Sequence, residues 1–192
     1  MQNQLYPVFL KVTELNTLIV GGGNVALEKL TFLLKSSPEA KVQMVSPMFR
    51  KETIELATKH GVEMFEQNYD ANFLENKHMV IATTDLEEVN KQVHKDCKER
   101  NILVNLADNP PYCDFYMGGI VTKGNVKVAI STNGKSPTMA KRLRQFFEDV
   151  IPDDINELAE NLNEFRKTIK GDFEEKVEVL NEFTKGLVSK KK

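Results

Sequence analysis

The sequence predicts an α/β fold: an open parallel sheet flanked by helices, followed by a small α+β region and a C-terminal helical part. Three observations carry this reading. Short apolar runs alternate with segments of helical period across residues 15–108, a Gly-rich turn joins the first run to the first helical segment, and Asn109-Pro110-Pro111 closes the alternation. Apolar runs spaced by helices are the pattern of a parallel sheet whose strands are buried on both faces.

The runs are Thr17 to Val20, Lys41 to Val45, Val62 to Phe65, Met79 to Ala82 and Ile102 to Leu106. Between them, Ala26, Leu30, Leu33 and Leu34 recur at helical spacing, as do Val89, Val93 and Cys97, so each set forms the inner face of a helix. Pro110 and Pro111 lack backbone donors and stop either kind of element, which places a boundary there. Beyond it, Phe115 to Val121 and Val126 to Ser131 flank Lys123-Gly124-Asn125 and predict a hairpin. Ser136-Pro137 reads as N-cap and first position of a helix running to about Asp149. Two more helices follow, with Ile155, Leu158, Leu162, Phe165 and Ile169 on one and, after Gly171, Phe173, Val177, Leu180 and Leu187 on the other. The expected division is residues 1–111, 112–150 and 151–192.

Composition narrows the class. At 41% hydrophobic and 28% charged residues the chain is globular, and a formal net charge of −2 gives no general attraction to nucleic acid or to an anionic membrane. Met1 to Gln4 lack the basic start and apolar run of a signal peptide, and no apolar run is long enough to span a bilayer, so a cytoplasmic protein is expected. Cys97 and Cys113 offer no disulfide framework, and His60, His78 and His94 are scattered, so no metal site is expected.

Leu18-Ile19-Val20 runs directly into Gly21-Gly22-Gly23-Asn24-Val25-Ala26, a G-x-G-x-x-A pattern between a strand and a helix. In such a turn Gly21 permits the tight bend, Gly23 lets the backbone approach a pyrophosphate, and the free amides of the helix N-terminus supply positive potential. The first region is therefore Rossmann-like, with residues 21–25 against a dinucleotide; glycines serving packing alone are the bland alternative. Asp at Gly21 or Gly23 is expected to abolish binding and leave the protein folded. Ser46 stands where an Asp or Glu usually grips the ribose 2′-hydroxyl, and a serine can still donate or accept there. Pro47 follows at the same edge, and Arg50 is the nearby cation able to favour a 2′-phosphate; NAD is preferred to NADP. Thr83 and Thr84 follow the fourth strand at the ligand-binding edge and are read as cofactor contacts, with capping of the next helix by Thr84 or Asp85 as an equal alternative.

Five segments taken in order carry a resemblance: Tyr6-Pro7-Val8-Phe9, the loop from Ile19 to Ala26, Ala82-Thr83-Thr84-Asp85 with Val89-Asn90, Asn105-Leu106-Ala107-Asp108, and the run from Ala129 to Pro137. Together they resemble the precorrin-2 dehydrogenase/sirohydrochlorin ferrochelatase family, including the N-terminal part of multifunctional siroheme synthases. The resemblance implies an NAD domain, a dimerisation region that also shapes the active-site cleft, and a small helical C-terminal part. It implies transfer of hydride from precorrin-2 to NAD⁺, giving sirohydrochlorin on the way to siroheme, and in some members insertion of Fe²⁺ as well.

The aspartate proposed for catalysis in that family falls on Asp108. A carboxylate there can accept a proton lost with the hydride; without the resemblance, Asp108 reads more readily as a brace for the Pro-Pro turn. Asn105 is read with it as a substrate contact. The segment Asn133 to Pro137 joins backbone amides, Lys135 and a helix N-terminus, a receiver for the carboxylates of a tetrapyrrole. Thr132, Lys135, Ser136 and Arg142 are the substrate-side residues, although Lys and Arg on a helix also suit a solvated face. A homodimer is expected, because the hairpin and short helices are too small to cover their own apolar faces. Two alternatives stay open: a bifunctional dehydrogenase and ferrochelatase, and a non-catalytic NAD-binding regulatory module.

Overall fold

The structure, a computed structural model, describes residues 3–107 and 109–188; Asp108 lies outside the described residues. Two compact units are formed, one from the chain up to Gly118 together with Ser131–Pro137, the other from Gly119–Ile130 and the chain from Thr138 onward.

In the first unit β1 (Thr17–Val20), α1 (Asn24–Ser36), β2 (Val42–Ser46), α2 (Lys51–Lys59) and β3 (Glu63–Glu66) precede a 3₁₀ turn at Ala71–Leu74. Then come β4 (Met79–Ala82), α3 (Glu87–Glu99), β5 (Leu103–Leu106) and a 3₁₀ turn at Pro110–Tyr112. Each strand matches its expected run to within one residue at either end. The sheet is wholly parallel in the order β3-β2-β1-β4-β5, so the chain builds outward from β1 on one side and then on the other.

Strand alternation sorts the core into two layers. Ile19, Met44 and Ile81 face Ala26, Leu30, Leu33 and Leu34 of α1 and Ala57 of α2, while Leu18, Val20, Val80 and Val104 face Val93 and Cys97 of α3. Each fully buried Leu, Ile or Val in these layers contributes about 1.5–3 kcal/mol. Helix α2 packs through a short stripe, with Thr53 and Ala57 buried and Leu56 half-buried against the α1 layer, while Ile54 is exposed. The Pro110-Pro111 turn, read from sequence as a boundary, lies inside the first unit. The chain stays with that unit because Phe115 and Met117 pack on the α1 layer, which also leaves the first hairpin strand shorter than expected.

The second unit pairs β6 (Gly119–Lys123) with β7 (Val126–Ile130), antiparallel, and adds α4 (Pro137–Val150), α5 (Ile155–Thr168) and α6 (Phe173–Val188). The hairpin tip is bound to α5. Gly124 has φ +57, and a Cβ there would lie 2.1 Å from Asn156 Oδ1, which instead accepts the Asn125 backbone N–H at 2.8 Å. Phe165 of α5 meets Phe183 of α6 with ring centroids 4.7 Å apart.

Candidate functional site

The three glycines after β1 serve different ends. Gly21 has φ +123, and a Cβ on it would lie 2.4 Å from Thr83 Oγ1; one on Gly22 would lie 2.3 Å from the Met48 carbonyl. Both are demanded by the fold. Gly23 has an ordinary φ of −86, and a Cβ on it would meet nothing within 4 Å. The turn is locked from both sides of β1. Gly21 N–H donates to Val45 O at 2.8 Å, Thr83 N–H and Oγ1 each donate to Val20 O at 2.8 Å, and Arg50 N–H and Thr53 Oγ1 donate to Gly22 O at 3.0 and 3.2 Å.

Gly23 stands at the N-cap of α1 with no side-chain cap, and the first turn of that helix holds no acidic residue. The first-turn amides of Asn24, Val25 and Ala26 have no acceptor a full helical turn behind them, so the rigid turn offers N–H groups and positive potential beside open space. This fits the pyrophosphate of a dinucleotide. Its place is at the carboxyl ends of the neighbouring strands β1 and β4, where the strand order switches direction and ligands of open α/β sheets bind. The expectation that Asp at Gly21 leaves a folded protein is corrected by the Thr83 contact and the positive φ.

Ser46 ends β2 with its side chain buried, and its Oγ donates to Met48 O at 2.7 Å. Pro47 and Met48 are exposed beside it, and Arg50 pairs with Glu52 at 3.3 Å. That arginine lowers the Glu52 pKa, after the larger effect of a backbone hydrogen bond. Thr83 is buried and holds the glycine turn. Thr84 is locked to Asn90: its Oγ1 donates to Asn90 Oδ1 at 2.8 Å, and Asn90 Nδ2 donates back to Thr84 O at 2.8 Å. Asp85 does not cap α3. Leu86 holds that position without a side-chain bond, and its N–H donates to Thr84 Oγ1 at 3.2 Å.

Asn105 is buried on β5, and its Nδ2 donates to Phe115 O at 2.8 Å and to Cys113 Sγ at 3.4 Å. Between the ends of β4 and β5 a cavity of about 160 Å³ opens among Asp85, Asn90, Lys91, Leu106, Ala107 and Asn109. Thr132 and Ser136 form a closed turn: Thr132 Oγ1 donates to Ser136 O at 3.0 Å and accepts Ser136 N–H at 3.2 Å, with Asn133 and Gly134 both at positive φ. Lys135 is exposed at the turn, and Gly134 lies near Pro110 in the same unit. Arg142 belongs to the second unit and donates to Gln145 Oε1 at 3.1 Å. His78 Nδ1 accepts Asn16 N–H, His94 stacks edge-on to Tyr112, and among the described residues no group of His, Cys, Asp and Glu is arranged to hold a metal.

Asn90 and Cys113 were not singled out as site residues from the sequence. Asn90 had a signal, since it is a polar side chain one position past an inward-facing Val89 and within one turn of the α3 start. Cys113 had none, because its contacts depend on how the Pro-Pro turn folds back.

A doubly wound parallel sheet with an uncapped glycine turn at its switch point defines a dinucleotide-binding protein. The chain belongs to the family described as "Putative NAD(P)-binding", whose model matches residues 8–119, and a model described as "Sirohaem biosynthesis protein central" matches residues 123–149. The siroheme synthase of Pseudoalteromonas translucida (strain TAC 125) is 40% identical over 167 residues, covering 87% of this chain and 35% of that one. The siroheme synthase of Psychrobacter sp. (strain PRwf-1) is 37% identical over 165 residues, covering 86% and 34%. The chain thus spans about a third of the length of these curated relatives. In fold it is similar to the solved structure of SirC, precorrin-2 dehydrogenase, with TM-score 0.77, 24% identity, and coverage of 93% of this chain and 88% of that one. The family resemblance drawn from the five sequence segments is borne out, and so is the Rossmann-like sheet with a helical C-terminal part.

Proposed function

We propose that the protein oxidises precorrin-2 to sirohydrochlorin with NAD⁺, a step of siroheme biosynthesis. The observation that carries the cofactor half is Gly23, a glycine that neither backbone strain nor internal packing requires, placed where a pyrophosphate would approach. The substrate half is supported by the relatives' name, siroheme synthase. Bound NAD⁺ supplies the hydride acceptor. On the protein side, residues 21–25 receive the pyrophosphate, with Ser46 and Pro47 toward the adenosine ribose and Thr83 and Thr84 shaping the turn from β4. The Ser46 O–H is engaged in its bond to Met48 O, so its oxygen can accept from a ribose 2′-hydroxyl but in this arrangement has no hydrogen to donate to a 2′-phosphate. That favours NAD over NADP.

Each dehydrogenation releases one proton with one hydride, and Asp108 is the base proposed to take the proton. Asn105, Thr132, Lys135, Ser136 and Arg142 are proposed on the substrate side. The working form is a homodimer in the cytoplasm. Two observations are compatible with it: α4 carries exposed Met139, Leu143, Phe146 and Val150, and no helix of the described residues is long and apolar enough to cross a membrane. Residues 1–111, 112–150 and 151–192 are proposed as the cofactor, dimer-and-cleft and helical regions.

The test is an anaerobic assay with enzymatically generated precorrin-2, following NADH and sirohydrochlorin, after which Fe²⁺ is added to score chelation. Equal formation of NADH and sirohydrochlorin is expected; NAD binding without turnover would make the protein a regulatory module instead. Asp108→Asn should lower turnover by about 10²–10⁴-fold with NAD affinity kept, as for loss of a general base. Turnover within a few-fold of the parent would remove Asp108 from the chemistry.

A further inference from the structure

Cys113 has no part in the reading above, yet it lies half-buried beneath the turn that follows β5. Its Sγ donates to Leu106 O at 3.1 Å and lies 3.4 Å from Asn109 O, while Asn105 Nδ2 donates to the sulfur at 3.4 Å. Leu106 O also accepts Asn109 N–H at 3.2 Å, and Cys113 N–H donates to Pro110 O at 3.1 Å. The two carbonyls that bracket residues 107 and 108 therefore face one sulfur. A thiol has one proton, and the Asn105 amide occupies the sulfur as acceptor, so the S–H is left to the carbonyls. Asn105 is itself fixed by burial on β5 and by its bond to Phe115 O. The bonds thus pass from a core strand through an amide and a thiol to the turn. Leu106, Ala107 and Asn109 of that turn line the cavity at the carboxyl edge of the sheet.

We infer that Cys113, oriented by Asn105, is a positioning residue: its thiol holds Leu106 and Asn109 in place as walls of the cavity at the carboxyl edge of the sheet. This rests on the dehydrogenase reading. Burial raises the Cys113 pKa, which keeps the sulfur a neutral donor rather than a nucleophile or metal ligand.

The experiment compares Cys113→Ser, which keeps a donor and acceptor, with Cys113→Val and Cys113→Ala, which keep neither. Precorrin-2 oxidation, NAD affinity and amide exchange at Asn109 are measured on all four proteins, parent included. Serine should keep kcat within about three-fold, whereas Val and Ala should lower it about ten-fold or more with NAD Kd and KM little changed. Exchange at Asn109 should rise about ten-fold in Val and Ala and not in Ser. Equal kcat in Ser and Val, unchanged exchange, or unfolding of both Val and Ala would overturn the inference, the last because the thiol would then serve the fold. A parent with no turnover would instead defeat the dehydrogenase reading, and the exchange data would still judge the clamp.

Discussion

At the scale of single residues, the three glycines divide structural from functional demand. Gly23→Asp should keep the fold and lose NAD binding by about 100-fold or more, because the new carboxylate sits where the pyrophosphate must and meets nothing in the protein. Gly21→Ala should instead lower stability by about 2 kcal/mol or more, since it adds left-handed strain to a contact with Thr83. Calorimetric titration with NAD and urea melts of both variants check the pair; a Gly23→Asp protein that binds NAD normally would show the turn to be packing only. The G-x-G-x-x-A pattern located this turn from sequence but not its division of labour. Gly22 is required by the Met48 carbonyl and Gly21 by Thr83, residues 26 and 62 positions away, and no local spacing reports such contacts.

Among elements, legibility followed burial. The strands of the sheet centre and the faces of α1 and α3 were readable because Leu, Ile and Val there answer to two core layers. Helix α2 was not, because its stripe of Thr53, Leu56 and Ala57 is short and one of the three is polar, Thr53 Oγ1 joining Arg50 N–H on Gly22 O. Helix α3 yields a pH prediction. Burial pushes the Cys97 thiol up from 9.0 to about 12, and burial with the Asp96 hydrogen bond raises Tyr69 in the same direction. The unfolded thiol loses its proton first, so stability is intact below about pH 9 and falls as pH rises toward about 12. The drop in urea midpoint between about pH 8 and about pH 11 should be smaller in Cys97→Ala than in the parent, with the remainder left to Tyr69. A pH slope unchanged by the substitution would assign the alkaline loss to Tyr69 or to other groups.

For the whole molecule, the question is what covers α4. Met139, Leu143, Phe146 and Val150 recur at four-, three- and four-residue steps along one face and are 57, 36, 56 and 52% exposed. A solvated helix would carry charge at these positions, and α4 has its Lys141, Arg142 and Asp149 elsewhere on its surface. A C₂ pairing through such a stripe buries the same residues on both chains, so each substitution counts twice. Phe146→Glu should therefore cost about 2 kcal/mol or more of association energy, about thirty-fold or more in the dimer Kd. The added charge meets its own copy or an apolar neighbour with no partner. NAD affinity per chain should stay within about two-fold, because the glycine turn belongs to the other compact unit. Sedimentation of the parent at micromolar concentration should give a dimer, and of Phe146→Glu a monomer. A monomeric parent would defeat the dimer proposal, while a dimer indifferent to both Phe146→Glu and Leu143→Glu would move the interface away from α4.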